Sequence, residues 1–335
     1  MPTVTYVLDN KAVEADPAET ILRVSLRTGI PHAHACGGNA RCSTCRVLIS
    51  EGLEHCVPRN DKEQQLADRL HFTAEIRLAC QTTISKDVKL RRLVLDDEDL
   101  QLTDQRTMGQ APTAVGEERQ LAVLFSDIRG FTPFAEELPP YDVVHVLNRY
   151  FHEMGQVINR NGGHIDNYMG DGLMALFGME DSNGAALQAV KAGLQMQAAM
   201  EHLKPYLQTI YAKSSNIGVG IHFGDVVVGA IGAQSLKRVT AIGDAVNLAS
   251  RIEAANKQAG TGLLISEETY QEVKERVRLG KTIRVTLPGK TGEFSLHEVV
   301  GLSDSIAYAF GRVTEKTTVW PSPFLLVAAD ANPND

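Results

Sequence analysis

The sequence predicts an α+β protein of two domains. Residues 1–95 contain short strand patterns around one main helix, and residues 119–300 follow the order β-α-β-β-α-β. A polar, acidic segment without apolar periodicity, residues 96–118, separates the two patterns and is predicted to be a linker. With 335 residues, 43% of them hydrophobic, the chain has enough length and apolar content for two packed cores.

Charge and apolar runs exclude several functional classes. The net charge of -8, without a cluster of Lys and Arg, argues against binding to nucleic acid. No apolar run approaches the ~18 residues that cross a bilayer, and the first residues do not resemble a secretory signal. We therefore expect a cytoplasmic protein without a membrane or nucleic-acid partner. The phosphate-binding pattern GxxxxGK[ST] does not occur, which excludes a P-loop ATPase.

In the first domain, two short apolar runs flank an Asp-Asn pair and predict a hairpin over 4–8 and 11–14. Apolar residues at helical spacing before Gly29 predict a helix from Thr20 onward. Similar patterns predict a second helix over 60–70 and strands over 47–49 and 88–95.

In the second domain, the continuous apolar run 121–125 predicts a buried strand that leads to Asp127. The turn Gly170-Asp171-Gly172 between two apolar runs predicts a hairpin. Asp244 is predicted to be the N-cap of a helix that reaches Lys257. Further helices are predicted over 141–161 and 185–203, and a pair of strands over 217–221 and 226–228. Residues 301–335 are predicted to be a tail of unknown role.

All five cysteines lie in the first quarter of the chain, at positions 36, 42, 45, 56 and 80. In a cytoplasmic protein this crowding favours metal binding over disulfides. Three cysteines on one Gly-rich loop and a fourth from a distant segment suit a [2Fe–2S] cluster, which takes four thiolates. Small loop residues would let backbone N–H groups approach the sulfurs; these are Gly37, Gly38, Ser43 and Thr44. A zinc site or plain structural thiols remain alternatives, although zinc usually takes two Cys-x2-Cys pairs.

The segment CGGNARCSTCRVLI, with the later RLACQT, resembles a [2Fe–2S] ferredoxin of β-grasp fold. Five residues separate the first two cysteines, as in the adrenodoxin-like subgroup. The resemblance covers residues 1–95 and implies that the cluster ligands are Cys36, Cys42, Cys45 and Cys80. Cys56 is interpreted as an ordinary partly buried cysteine, with a spare thiol or a cluster neighbour as the alternatives.

Two carboxylates and one helix face are candidate site residues in the second domain. Asp127 and Asp171 follow strands that could be neighbours, so both carboxylates could meet at one end of a sheet and bind Mg²⁺ beside a triphosphate. Asn247 and Arg251 are four residues apart and share one helix face. Each pair alone could equally be turn residues or a solvated helix face.

Four segments together resemble the catalytic domain of class III nucleotidyl cyclases: LAVLFSDIRGFTPFAEEL, GGHIDNYMGDGLMALFG, GVGIHFGDVVVGAIG and IGDAVNLASRIEAAN. The resemblance spans residues 119–300 and implies an α/β sandwich. It implies that two Mg²⁺ or Mn²⁺ ions bind Asp127, Asp171 and the backbone carbonyl of Ile128. Asn247 would orient the ribose and Arg251 would stabilise charge at the α-phosphate. The resemblance also implies a head-to-tail homodimer in which each site draws on both subunits.

The base-reading positions of the family fall on Asn167 and Thr240. The Asn167 amide can donate to adenine N1, and the Thr240 hydroxyl can accept from the adenine N6 amino group, so ATP is favoured over GTP. Lys290 is a candidate phosphate contact, with a solvated loop lysine as the alternative. These residues predict an adenylate cyclase that forms 3′,5′-cyclic AMP and pyrophosphate.

Two other functions remain open from the sequence. One is a guanylate cyclase, which differs only in base choice. The other is an electron-transfer ferredoxin with a degenerate cyclase-like domain. Every predicted catalytic position is filled, and the first 95 residues lack the acidic excess common in electron carriers, with 13 Lys and Arg against 11 Asp and Glu. In the leading hypothesis the ferredoxin domain either senses redox state through its cluster, with an unidentified redox partner, or holds the dimer together.

Overall fold

A computed structural model of the chain describes residues 1–16, 18–94, 116–231 and 238–303. Within these ranges the chain forms one sheet of five strands and one of eight, each with its own hydrophobic core. The α+β class is thus confirmed. Most of the predicted linker, 96–118, and of the predicted tail, 301–335, lies outside the described residues, so both remain predictions. No helix in the described ranges is long and apolar enough to cross a membrane.

The N-terminal sheet has the strand order β2-β1-β5-β3-β4, and β1 and β5 are parallel. Its strands are β1 (Thr3–Tyr6), β2 (Lys11–Glu14), β3 (Arg46–Glu51), β4 (Ile76–Leu78) and β5 (Val88–Arg92). Helix α1 (Ile21–Arg27) begins after Thr20, whose side chain accepts the N–H of Arg23. The apolar residues of α1 pack into the core of this sheet. This arrangement matches the predicted β-grasp fold.

Helix α2 (Asp61–Leu70) is held by side-chain contacts that the sequence pattern did not show. Asn60 caps it by accepting the N–H of Glu63 at 2.9 Å. The buried carboxylate of Glu63 accepts two hydrogen bonds of 2.9 Å from Arg77 on β4, which ties the helix to the sheet. Strand β4 and the 3-10 turn Leu53–His55 were not predicted, because three-residue elements are too short to show a period.

The C-terminal sheet has the order β12-β13-β11-β9-β6-β8-β7, with β10 paired to β9. Its strands are β6 (Gly116–Ile128), β7 (Gly163–Met169), β8 (Gly172–Phe177), β9 (Ile217–Ile231), β10 (Arg238–Ile242), β11 (Leu263–Ser266), β12 (Val277–Val285) and β13 (Phe294–Leu302). Its helices are α3 (Phe131–Glu136), α4 (Pro140–Arg160), α5 (Ala185–Tyr211), α6 (Asp244–Ala259) and α7 (Glu267–Val273).

Strand β6 is apolar on both faces because helices cover both faces of the sheet. Ala122 and Leu124 pack into the core that contains α4 and α5. Leu121 and Val123 point to the opposite face and pack with residues of α6. Successive side chains of a strand alternate between faces, so the continuous apolar run at this position requires two cores.

The predicted strand pair over 217–221 and 226–228 is wrong, because both segments belong to the single strand β9. This strand pairs with β6 without interruption from Ile217 to Gly229, so Gly224 lies in extended ladder backbone rather than in a turn. A Cβ at Gly224 would lie 2.7 Å from Nε2 of His222. Gly224 therefore lies where the strand backbone closely approaches the side chain of His222.

Three helix or strand boundaries also differ from the predictions. Helix α5 continues past Leu203 and Pro205 to Tyr211, because Leu203 and Leu207 on either side of the proline are both buried in the core. The N-cap of α6 is Gly243, and Asp244 is the first helical residue, without a side-chain cap. Strand β6 begins at Gly116, three residues before the predicted start of the second domain.

Candidate functional site

Two carboxylates converge where β6 and the β7–β8 hairpin end. Asp127 is the next-to-last residue of β6, and Asp171 lies in the turn that joins β7 to β8. The two carboxyl groups are neighbours, and burial together with the interaction with Asp127 raises the pKa of Asp171 to about 7. Oδ1 of Asp127 is buried without a hydrogen-bond partner. A half-buried pair of carboxylates in this state favours the binding of a cation between them.

The carboxylate pair can supply part of a metal site. Within the described ranges, no three or more His, Cys, Asp or Glu side chains are grouped so that they could hold a metal ion. Mg²⁺ commonly takes only one or two protein carboxylates and completes its shell with waters and substrate phosphates. Asp127 and Asp171 therefore fit Mg²⁺ or Mn²⁺ bound together with a phosphate-bearing substrate. The backbone N–H of Ile128 donates to Asp171, whereas the predicted metal contact of its carbonyl remains a prediction.

Helix α6 carries Asn247 and Arg251, and Gly220 of β9 sets its position. A Cβ at Gly220 would lie 2.1 Å from the backbone nitrogen of Glu253, so the helix backbone rests directly on the strand. Asn247 is exposed and Arg251 is half-buried. In the described part of the chain, no hydrogen bond or ion pair joins Asn247 or Arg251 to the carboxylate pair. We call the carboxylate pair one candidate half-site, and Asn247 with Arg251 the other.

The predicted base-reading residues, Asn167 and Thr240, each have a polar neighbour that the sequence analysis missed. The hydroxyl of Thr240 donates to Oδ2 of Asp166 at 2.7 Å. Nη1 of Arg238 donates to Oδ1 of Asn167 at 2.8 Å. These contacts bring β7 and β10 together at one location, although the two strands are far apart in the order of the sheet. Only the curvature of the sheet creates this proximity, so no spacing rule could have found it.

Lys290 lies beside the first turn of α6. Its ammonium group forms an ion pair with Asp244, the first residue of the helix. A Cβ at the preceding residue, Gly289, would lie 3.2 Å from the guanidinium of Arg251. Lys290 and Arg251 therefore line the same part of the surface, and the role of Lys290 as a phosphate contact remains a prediction.

An ion pair between the end of β6 and α6 was also not predicted. Nη2 of Arg129 lies 2.8 Å from Oε1 of Glu253, but the two groups are not aligned as a hydrogen bond. Burial raises the pKa of Glu253 to about 7, and the charge of Arg129 opposes this shift. Arg129 also lines a cavity of about 490 Å³ between the middle of α5 and the C-terminal end of α6. The pair links the strand that carries Asp127 to the helix that carries Arg251.

In the N-terminal domain, the four predicted cluster cysteines form two thiol pairs. Cys36 is hydrogen-bonded to Cys42, and Cys45 is hydrogen-bonded to Cys80. The contact within each pair lowers the pKa values of Cys36 and Cys80 and raises those of Cys42 and Cys45. A [2Fe–2S] cluster takes two thiolates per iron, so this pairing fits the cluster.

Hydrogen-bond donors surround these sulfurs, as the small loop residues predict. The Sγ of Cys36 accepts backbone N–H groups of its own loop, those of residues 39, 41 and 42. Nε2 of Gln81 donates to the Sγ of Cys80 at 3.3 Å. Such donors stabilise the negative charge of cluster sulfurs.

Cys56 lies apart from the thiol pairs. It is half-buried against the core of the N-terminal domain, and burial raises the pKa of its thiol. Its backbone forms an isolated bridge with Ile84. This environment agrees with the interpretation of Cys56 as an ordinary partly buried cysteine.

Two family models match the chain, in the predicted order. The model of the 2Fe-2S iron-sulfur cluster binding domain matches residues 7–85, which include both thiol pairs. The model of the adenylate and guanylate cyclase catalytic domain matches residues 114–300, which include the carboxylate pair and α6.

Curated relatives include adenylate cyclases. The chain is 38% identical over 190 residues to an adenylate cyclase of Anabaena cylindrica, and the match covers 54% of this chain and 37% of the relative. It is 30% identical over 186 residues to adenylate cyclase 1 of Rhizobium meliloti, covering 55% of this chain and 28% of the relative. The chain thus spans little more than a third, or less, of the length of these relatives.

Solved structures of both substrate classes resemble the C-terminal domain. The guanylyl cyclase Cya2 has a TM-score of 0.54 and 36% identity, over 56% of this chain and 95% of the other. The adenylyl cyclase CyaB from P. aeruginosa has a TM-score of 0.52 and 33% identity, over 55% of this chain and 95% of the other.

Proposed function

Because the chain belongs to the adenylate and guanylate cyclase catalytic domain family, we propose that it is a class III adenylate cyclase. The observation that carries this proposal is the convergence of Asp127 and Asp171, with a buried carboxylate oxygen that lacks a partner. The reaction is attack of the ribose 3′-OH of ATP on the α-phosphate. A new P–O bond forms between the 3′ oxygen and the α-phosphorus, the bond from the α-phosphorus to the oxygen of the β-phosphate breaks, pyrophosphate leaves, and the hydroxyl proton passes to solvent.

Asp127, Asp171 and the Ile128 carbonyl would hold two Mg²⁺ or Mn²⁺ ions in this proposal. When bound, such ions lower the pKa of the attacking hydroxyl and neutralise charge on the phosphates. The two half-buried carboxylates repel each other when both are ionised, and a divalent ion would relieve this repulsion. Partial burial of the pair therefore favours binding of substrate together with metal.

Asn247 and Arg251 act on the nucleotide from the other half-site. Asn247, exposed on α6, orients the ribose by hydrogen bonding. Arg251 stabilises the negative charge that develops at the α-phosphate, as a fixed cation in a partly dry site. Lys290, close to Arg251, can contact the triphosphate by exchanging its partner Asp244 for a phosphate oxygen.

We propose that the active enzyme is a head-to-tail homodimer with two shared sites. Each subunit contributes its carboxylate pair to one site and its Asn247 and Arg251 to the other. Among the described residues no hydrogen bond or ion pair joins these groups within one chain, which agrees with this arrangement, because in the proposed dimer each half-site is completed by the other subunit. The cytoplasm, where thiols stay reduced and all five cysteines can remain unpaired, is the proposed location.

We propose ATP as the substrate, and GTP is the alternative. Asn167 can donate to adenine N1 and Thr240 can accept from the adenine N6 amino group. Similarity to adenylate cyclases of Anabaena cylindrica and Rhizobium meliloti supports ATP. Similarity to the guanylyl cyclase Cya2 is the observation that keeps GTP as a second candidate.

The N-terminal domain would bind a [2Fe–2S] cluster through Cys36, Cys42, Cys45 and Cys80. We propose that the redox state of this cluster regulates the cyclase and that a redox partner supplies the electrons. One-electron reduction adds charge to a loop whose N–H groups contact the sulfurs, and this can alter docking of the domain. An electron carrier with an inactive cyclase-like domain is disfavoured, because the carboxylate pair and Arg251 are all present.

The test uses the full chain purified anaerobically, with its cluster verified by visible absorption and EPR. Product formation from ATP and from GTP is measured with Mg²⁺ and with Mn²⁺. Asp127→Ala and Asp171→Ala should each abolish product formation while the EPR signal and thermal unfolding stay unchanged. Asp181→Asn, at an exposed carboxylate of the same domain, is the matched control and should retain full activity. Substantial metal-dependent activity in either alanine variant would refute the assigned metal site.

A further inference from the structure

The hydrogen bond between Thr240 and Asp166 determines what the Thr240 hydroxyl can offer to a nucleotide base. Asp166 is 5% exposed and lies at an irregularity of the β7–β8 pairing, between Ile165 and Asn167. Such irregularities turn a side chain away from its regular direction. Here the carboxylate reaches Thr240 at 2.7 Å.

A carboxylate only accepts hydrogen bonds, so the single O–H of Thr240 must point toward Asp166. The remaining lone pairs of the Thr240 oxygen can then only accept. The Asn167 side chain is fixed in a similar way, because its Oδ1 accepts from Arg238 at 2.8 Å and its Nδ2 is left to donate. The two base-reading side chains therefore present one acceptor and one donor.

We propose that Asp166 is a positioning residue that sets the preference for adenine by holding Thr240 as an acceptor. This inference rests on the proposed function and deepens it. Adenine presents an amino donor at position 6 and an acceptor at N1, which complement Thr240 and Asn167. Guanine in the same pose presents an acceptor at O6 and a donor at N1, so both contacts would be mismatched. A mismatched buried polar contact costs about 1–3 kcal/mol, roughly 5- to 150-fold in affinity.

Asp166→Asn tests this directly, because an amide N–H can donate to the Thr240 oxygen. The O–H of Thr240 is then free to point toward the base. We expect the ratio of kcat/KM for ATP to that for GTP to fall by about 10-fold or more. Thr240→Val should lower the ratio as well. The double variant should show no further loss beyond Thr240→Val, since Asp166 acts only through that hydroxyl. Asp181→Asn is the control for loss of an acidic side chain and should keep the wild-type ratio.

A purely structural role for Asp166 would reduce activity with ATP and GTP equally and add to the effect of Thr240→Val. Either result would overturn the inference. Asp166→Ala serves as a second variant if Asp166→Asn does not fold, and it should also lower the ratio because the hydroxyl can then rotate. Binding of non-cyclisable ATP and GTP analogues is measured in parallel. If product is absent but the analogues bind, the proposed activity fails while the ratio of the two dissociation constants still tests Asp166. Lack of binding by both analogues would overturn both proposals.

Discussion

Replacing Gly220 by alanine tests how β9 positions α6. A Cβ at this residue would lie 2.1 Å from the backbone nitrogen of Glu253, 2.5 Å from its Cα and 2.8 Å from the carbonyl oxygen of Ala249. Comfortable contacts between carbon atoms need about 3.5–4.0 Å, so the helix must move by about 1 Å or more. These three atoms belong to the helix backbone and cannot give way by a rotamer change.

We expect Gly220→Ala to destabilise the C-terminal domain by about 3 kcal/mol, at the upper end of overpacking costs. That loss corresponds to a fall in Tm of about 6–12 °C for a domain of this size. Because Asn247 and Arg251 belong to the same helix, a shift of α6 by about 1 Å should lower kcat on the order of 10²-fold. Calorimetry and a cyclase assay below the lowered Tm measure the two effects separately.

Gly155→Ala is the matched control for this substitution. Its Cβ would lie 3.3 Å from Cδ1 of Ile165, the end of a flexible side chain, and alanine favours the helix in which it lies. We expect Gly155→Ala to keep both Tm and kcat close to the wild-type values. A Gly220→Ala enzyme with wild-type Tm and kcat would show that α6 does not rest on β9 as described.

Further predictions concern assembly, the cluster and its regulation. Arg251→Ala alone should lower kcat roughly 10²-fold or more, as expected for loss of a charge that stabilises the transition state. An equal mixture of Asp127→Ala and Arg251→Ala chains should regain about a quarter of wild-type activity, because half of the dimers are mixed and each mixed dimer has one intact site. No recovery after verified subunit exchange would refute shared sites. Cys80→Ser should abolish the [2Fe–2S] EPR signal, whereas Cys56→Ser should preserve it. Finally, kcat/KM for ATP should differ at least several-fold between the enzyme with an oxidised cluster and the enzyme with a reduced cluster. Equal values in one fully reduced and one oxidised sample would refute redox regulation and show that the cluster has only a structural role.

Local patterns predicted most elements of the fold correctly. Helices begin directly after Thr20 and Asn60, as the local sequence patterns predicted, because such patterns depend on neighbouring residues only. The turn around Asp171 was predicted for the same reason. The predictions failed where distant residues decide the outcome. Gly224 predicts a break in the strand when only its neighbours are considered. In the structure, β6 pairs with β9 continuously from Ile217 to Gly229, so the strand is not interrupted.

The residue types and their order predicted the four cluster cysteines and both candidate half-sites, because the chemistry of metal ligands and their short spacings can be read from the sequence alone. Pairing was decided only by the tertiary structure: Cys36 with Cys42, Cys45 with Cys80, and Asp127 with Asp171. The same holds for the partners of the base-reading residues, Asp166 and Arg238, which reach them across 74 and 71 residues of sequence. Hydrogen-bond direction and burial depend on which groups meet in space, and the curvature of the sheet brings these groups together.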